Sequence, residues 1–217
     1  MSTELSRRLS AVIPDAALEI VALPEVPNIR LALLQASYPQ HLLGSDTIAE
    51  IMNTPMYWAF CWASGQVLAR FILDNPDYVK GQRVLDFGSG SGVVAIAAAL
   101  AGAKQVVACD NDPLALLACA YNAELNGVKL VLASSWERYV EPTDLILASD
   151  VLYDRANLSW LELFLKRAPC VLVADSRIRD FSAEHYELLS SNNSFTLPDL
   201  DESQEFRRVR VYLGRAV

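Results

Sequence analysis

Residues Arg83 to Gly92 read R-V-L-D-F-G-S-G-S-G, and this stretch decides how the rest of the chain is read. Its first half, Arg83 to Phe87, is short and apolar, the composition of a buried strand. Gly88, Gly90 and Gly92 then turn the chain sharply. Val93 to Leu100 continues as an alanine-rich helix. Strand, glycine turn and helix make half of a βαβ unit, and such a turn lets backbone N–H groups approach a ligand closely. The helix start adds the positive end of its dipole at the same place.

The spacing Gly90-x-Gly92-x-x-Ala95 satisfies a loose dinucleotide fingerprint, so an oxidoreductase with a nicotinamide or flavin cofactor has to be weighed. Asp86 argues against it, because a carboxylate beside the cradle opposes a pyrophosphate. A ligand carrying an ammonium group would welcome the same residue. Asp110, 20 residues after Gly90, ends a second strand, Gln105 to Asp110, where an acid can accept both hydroxyls of a ribose. Acid, glycines, then acid suits S-adenosylmethionine, with its amino-acid end near Asp86 and its ribose on Asp110. Tight packing of Asp86 for purely structural reasons is the competing reading.

V-L-D-F-G-S-G-S-G followed by V-V-A-C-D-N-D-P resembles motifs I and II of the class I methyltransferases, over a region running from about Tyr57 to the C-terminus. The resemblance implies a doubly wound, Rossmann-like α/β fold with a seven-stranded sheet, five parallel strands and an antiparallel terminal pair. It implies S-adenosyl-L-methionine as cofactor, with Asp86, Gly88, Ser89, Gly90, Gly92, Asp110 and Asn111 around it.

Bulk properties narrow the function classes. A chain of 217 residues, 53% hydrophobic and 20% charged, builds one domain with a substantial core. A net charge of −8 argues against a nucleic-acid partner and weakly favours a cationic substrate. Cys61, Cys109, Cys119 and Cys170 form no C-x-x-C pair and read as buried reduced thiols, which points to the cytoplasm. His41 and His185 have no neighbour at metal-ligand spacing, so no metal site is expected. The N-terminus lacks a signal-peptide core and no apolar run reaches spanning length, so no membrane role is expected.

Residues 1–56 read as a small α/β extension on a methyltransferase domain at 57–217. Met1 to Ile13 has helical spacing, Leu18 to Leu23 and Ile29 to Gln35 read as two strands about a Pro-containing turn, and Gly44 to Asn53 reads as a capped helix. An aromatic segment, Tyr57 to Trp62, precedes Ser64, Gly65 and a helix over Val67 to Asn75. Trp62 either fills core or, with Ser64 and Gly65, closes over the cofactor's amino-acid end; Trp58 reads as core. Further on, a helix is expected from Pro113 to Asn126, a third strand over Lys129 to Ala133 and a fourth over Asp144 to Ser149. Then come a helix over Leu158 to Lys166, a fifth strand over Cys170 to Ala174 and a helix over Glu184 to Ser190. Phe195 to Leu197 and Arg207 to Leu213 read as the terminal antiparallel pair. Ser135 and Trp136, at the carboxyl end of the third strand, could meet an adenine, or Trp136 could anchor the core.

The chemistry is expected at the end of the fourth strand. Methyl transfer from a sulfonium needs an aligned nucleophile with a free lone pair, and a lysine amine is protonated at neutral pH, with a reference pKa of about 10.4. Asp150 and Tyr153 form a carboxylate and hydroxyl pair suited to aligning a neutral amine. The bland alternative makes Asp150 a cap of the following segment and Tyr153 a packing residue. Asp-x-x-Tyr here resembles the motif after the fourth strand in the seven-stranded protein lysine methyltransferases. With W-A-S-G-Q-V-L-A-R at Trp62 to Arg70, the chain looks most like the electron-transfer-flavoprotein β-subunit lysine methyltransferases and their bacterial relatives. That family commonly has Pro-Gly at Ala63-Ser64 and often an aromatic at Leu152. The resemblance implies methylation of a protein lysine, with the electron transfer flavoprotein β subunit among the candidate partners. A small-amine N-methyltransferase of nicotinamide type is the alternative, with Tyr57, Trp58 and Phe60 lining its pocket. A binding module without catalysis is a further one, disfavoured by Asp86, Asp110 and Asp150.

Overall fold

The structure, a computed structural model, describes residues 2–38, 56–152, 155–178, 183–199 and 203–216. The expected helix at Gly44 to Asn53, Tyr153 and Asp154, and Arg179 with Asp180 lie outside the described residues.

A seven-stranded sheet organises the chain. Its strands are β3 (Arg83–Phe87), β4 (Gln105–Cys109), β5 (Val131–Ala133), β6 (Leu145–Ser149), β7 (Cys170–Asp175), β8 (Tyr186–Asn193) and β9 (Arg208–Arg215). The spatial order is β5-β4-β3-β6-β7-β9-β8. The first five in that order run parallel, and β9 is antiparallel to both β7 and β8. The five-plus-two sheet is therefore present. The chain fills one half of the sheet through β4 and β5, then jumps back across β3 to begin β6. That reversal is a topological switch point, where the carboxyl ends of strands leave a crevice in open α/β sheets.

Each inner strand is buried on both faces, as parallel strands covered by helices must be. Along β6, Leu145 and Leu147 join one core, and Ile146 and Ala148 join the other. Helices α2 (Ala63–Asp74) and α3 (Val93–Leu100) cover the first core, and α5 (Ser159–Arg167) covers the second through Leu161 and Phe164. Helix α2 starts four residues earlier than the apolar periodicity suggested. Trp62 is its N-cap, and Ser64 falls in its first turn.

Two expectations about the C-terminal part are corrected. Glu184 to Ser190 is not a helix, since Tyr186–Asn193 is strand β8, paired along its length with β9. Phe195 to Leu197 is not the partner of β9 and contributes a single bridge, Leu197 to Cys61. Helix-forming Glu and Leu residues misled the reading of β8. It is an edge strand whose register shifts between Leu188 and Ser190, so no clean two-residue alternation survives in its sequence.

At the other end of the chain, α1 (Ser2–Val12) and the antiparallel hairpin β1 (Leu18–Ala22) and β2 (Arg30–Leu34) form a layer outside the main sheet. Leu5, Leu9, Ile13 and Leu34 pack with Trp58 and with Ala115 and Ala118 of α4 (Pro113–Leu125). Polar ties run beside this core. Asn122, fully buried on α4, accepts from Ala32 N at 2.8 Å and donates to Ser91 O at 2.8 Å. One side chain thus links the hairpin to the glycine loop. An Asn122→Leu variant leaves that N–H and that C=O unpaired, at about 1–3 kcal/mol for each group. Its thermal midpoint should fall by several degrees, at about 2–4 °C per kcal/mol for a chain of this size. An unchanged melting curve by circular dichroism would show that the two groups find other partners.

Candidate active site

The glycine loop between β3 and α3 holds the carboxyl edge together with its own amide groups. Gly88 N and Ser89 N donate to Cys109 O, Gly90 N donates to the Asp110 carboxylate at 2.9 Å, and Gly92 N donates to Ser89 O. These donors are therefore spent inside the protein, which leaves them unavailable for a pyrophosphate. Gly92 has φ 84°, and a Cβ there would lie 3.1 Å from the sulfur of Cys119. Cys119 in turn touches Ser89 Oγ and Gly90 O, each at 3.3 Å. The loop is seated directly on helix α4, so only glycine fits at 92.

Asp86 lies inside this turn, 1% exposed. Its carboxylate accepts from Ala95 N in the first turn of α3 at 3.0 Å and so supplies the cap that Gly92 lacks. Burial pushes Asp86 up to about 8; the Ala95 N–H opposes the shift and the charge of Asp110 adds to it. Asp110 is also raised, by burial above all, against donors from Asp112, Gly90 and Asn111 backbone. Without a ligand, the two carboxylates work against each other.

Asp150 follows β6 directly. Its backbone sits at φ 55°, an uncommon conformation for a non-glycine residue and one that concentrates at functional sites. Asp150 N donates to Ala174 O of β7 at 3.2 Å. The carboxylate accepts from Ser64 N at 3.1 Å and from Ser64 Oγ at 2.6 Å. Asp150 thus caps helix α2 through Ser64, 86 residues earlier in the chain. Ser64 is fully buried, and Gly65 beside it packs so closely on α3 that a Cβ would lie 3.0 Å from Val93. Asp150 ends up across the switch point from the glycine loop, with a Cβ on Gly88 reaching 2.9 Å from Val151.

The remaining expected residues are distributed as follows. Trp62 is half-buried, donates Nε1 to Tyr57 O at 3.1 Å, and packs against Tyr57 and Phe60. Trp58 is 1% exposed and fills core. Asn111 is exposed and gives Asp110 a backbone donor. Ser135 Oγ donates to Glu137 and accepts from Arg138 N, closing the turn after β5. The Trp136 ring packs edge-on to Phe87 and Phe164, with the Arg167 guanidinium 4.4 Å from its centre. That ring is engaged as an anchor between β3 and α5. Tyr153 lies outside the described residues.

Two residues of this edge take parts that the sequence did not give them. Ser64, expected to close over the cofactor's amino-acid end, bonds Asp150 once α2 and β6 are brought together. Asp175 ends β7 with 1% exposure; its Oδ1 accepts from Arg177 N and Ile178 N, and its Oδ2 has no partner. Burial holds its carboxyl above the ordinary range. A carboxylate before a polar loop was the available signal, and it reads equally as a turn former.

A cofactor with a cationic amino-acid end and a ribose fits these residues. Asp86 and Asp110 place two acidic groups where the fold converges, and a Cβ on Gly90 would meet nothing nearer than 3.9 Å. Sequence comparison agrees. The family model for ribosomal protein L11 methyltransferase (PrmA) matches residues 68–154. The electron transfer flavoprotein β subunit lysine methyltransferase of Rattus norvegicus is 37% identical over 156 residues, 66% of this chain and 60% of that protein. The Danio rerio protein of the same name is 43% identical over 113 residues, 51% of this chain and 44% of that one. The chain thus spans about half the length of the curated relatives it matches. Among solved structures, a ribosomal protein L11 methylase from Lactobacillus delbrueckii subsp. bulgaricus superposes with TM-score 0.54 at 24% identity, over 71% of this chain and 79% of that one. A Thermus thermophilus 16S rRNA N2 G1207 methyltransferase, solved with AdoMet and guanosine, superposes with TM-score 0.58 at 13% identity, over 93% of this chain and 51% of that one. Those two likenesses speak for the fold.

In fold and in sequence the chain is similar to class I methyltransferases, enzymes whose cofactor is S-adenosylmethionine. Within that class its sequence is similar to the electron transfer flavoprotein β subunit lysine methyltransferases, at roughly the 40% level over the shared segment.

Asp86 gives a pH test of this geometry. Between the unfolded carboxyl value of about 4 and the folded value of about 8, the folded protein keeps a proton that the unfolded chain has released. Stability from this group is therefore full below pH 4 and is lost as pH rises to 8. The thermal midpoint of ligand-free protein should fall between pH 5 and pH 8, and Asp86→Asn should show a smaller fall. Equal pH slopes in the two proteins would show that Asp86 titrates normally.

Proposed function

We propose that the chain transfers methyl groups from S-adenosylmethionine to the side-chain amine of a lysine on a folded protein. The carrying observation is Asp150, held by Ser64 in a left-handed backbone conformation across the switch point from Asp86 and Asp110. The names of the curated relatives support the acceptor class. They put the electron transfer flavoprotein β subunit first among acceptors to try. In this reading, residues 1–56 are an extension packed on a methyltransferase domain at 57–217. Unpaired, mostly buried cysteines suit a reducing compartment such as the cytoplasm.

When bound, S-adenosylmethionine supplies a methyl group made electrophilic by its sulfonium. Asp110 accepts from the ribose hydroxyls while keeping Gly90 N as its internal donor. Asp86 meets the cationic amino-acid end, with Gly88, Ser89, Gly90 and Gly92 shaping the floor and Trp62 the near wall. Asn111, Ser135 and Trp136 flank the base. Asp150 accepts hydrogen bonds from the lysine amine. Ser64 N and Ser64 Oγ each bond one of its oxygens and so fix how the carboxylate is turned. The amine must arrive neutral, and the apolar walls at Val151 and Leu152 disfavour the ammonium form there. Tyr153 is assigned as the second group aligning the amine, on the strength of the Asp-x-x-Tyr resemblance.

Asp110→Ala should weaken S-adenosylhomocysteine binding by about 1.5–3 kcal/mol, the scale of hydrogen bonds to a charged group. Titration calorimetry reads this directly, and unchanged affinity would displace the ribose from Asp110. Asp150→Asn should lower turnover about a hundredfold while leaving S-adenosylhomocysteine affinity near that of the parent protein. Ser64→Ala separates capping from amine alignment, because it removes one donor and leaves the carboxylate. It should cost stability more than turnover. The acceptor is identified by incubating the enzyme and labelled S-adenosylmethionine with a lysate of its own source. Label should enter a protein band and disappear when the target lysine is replaced by arginine. Label confined to small molecules would overturn the protein-lysine reading.

A further inference from the structure

One stretch of this acidic chain runs against its net charge of −8. Arg207 closes a short 3-10 turn, and Arg208 and Arg210 follow on β9. The three arginines, with Asn193 and Ser194, line a cleft of about 550 Å³ in which Glu25 is the one acid among the described lining residues. Val209 and Val211 point into the core, so Arg208 and Arg210 stand on the opposite face of the strand. Arg207 lies 3.5 Å from Asp199, and Arg208 uses its Nε on Ser191. Ser194 is 4% exposed, and its hydroxyl has no hydrogen-bond partner. Donors therefore dominate this cleft, and one buried polar group in its lining is unsatisfied.

Strand pairing fixes where the cleft lies. Arg210 is opposite Asp175 on β7, and Ala174 is opposite Ser149 on β6. Arg210 is thus two strand spacings from the start of the Asp150 turn, about 10 Å. An acceptor lysine placed at Asp150 would carry its neighbouring surface over these arginines.

We propose that this cleft binds a carboxylate side chain on the protein acceptor, close in space to the lysine that is methylated. The inference rests on the lysine-methylation reading above and adds the acidic surface that the acceptor must present. Guanidinium forks match carboxylates in a two-point geometry. A chain of net charge −8 repels an acidic acceptor over much of its surface, so an arginine-lined cleft fixes orientation as well as contact. RNA, with its dense phosphates, meets the whole −8 charge and fits less well.

The test uses the full chain and fluorescein-labelled poly-L-glutamate, read by anisotropy at low ionic strength. Wild type should bind the polymer. Arg208→Gln/Arg210→Gln should bind it about tenfold more weakly, the loss of roughly 1.4 kcal/mol, with S-adenosylhomocysteine affinity unchanged. Equal binding by the two proteins, or none by wild type, would overturn the proposal. So would displacement of the polymer by millimolar inorganic phosphate, which marks a free-anion site, or tighter binding of a structured RNA. The lysate labelling separates the two levels. Failure of wild type to label any protein sinks the lysine reading, whereas full labelling by the double variant sinks the cleft alone.

Discussion

Three carboxylates converge on one edge of one sheet, and the fold must hold them there. Asp86, Asp110 and Asp150 lie at the ends of β3, β4 and β6, which are neighbours in the order β4-β3-β6. Like charges at such spacing repel, and burial raises the cost further. Each is held by a backbone amide from a different segment: Ala95 N for Asp86, Gly90 N for Asp110, Ser64 N for Asp150. Two of those amides belong to first turns of helices, where donors have no partner within the helix. The helices α2 and α3 and the glycine loop are thus positioned by the carboxylates as much as they position them. Such an edge is electrostatically incomplete, and a cationic ligand completes it.

The two halves of the sheet differ in how they meet that edge. On the β3 side, Phe87, Trp136, Trp160 and Phe164 form a continuous aromatic cluster, and Arg167 covers the Trp136 face and donates to its carbonyl. Across the switch point, Asp175 ends β7 opposite Arg210, near the start of β9. Gln66 donates to Phe195 O at 2.7 Å, and Cys61 bridges Leu197, so helix α2 fastens this side to the same helix start that Asp150 caps.

The glycine loop was legible because its chemistry is local. Three glycines at positive φ, an acid before them and an acid after them lie within one strand–turn–helix unit, and sequence spacing carries all of it. The parallel strands were legible for a similar reason, since burial on both faces leaves continuous apolar runs. Strand β8 was not, because its bulge removed the alternation and its residues favour helix when judged alone. Asp150 was found as an acid at a strand end, yet its partner could not be found. Nothing in Ser64 announces a contact with a residue 86 positions away. Only the start of α2 at Ala63, four residues before its apolar pattern, brings that serine to the carboxylate.

The Ser64–Asp150 contact also explains how a weakly patterned stretch acquires a fixed shape. Trp62 caps α2 with no side-chain bond of its own, and its ring is tied back to Tyr57 O. The helix therefore depends on Asp150 for its capping acceptor, and Asp150 depends on the helix to hold a backbone conformation that is strained for aspartate. A site built this way forms only when β6 has joined the sheet and α2 has packed on it, so the carboxylate becomes correctly placed as the fold completes. The same coupling limits substitution at both positions. An asparagine at 150 keeps one acceptor for Ser64 and loses the negative charge, whereas loss of the side chain releases the helix start and the tryptophan with it.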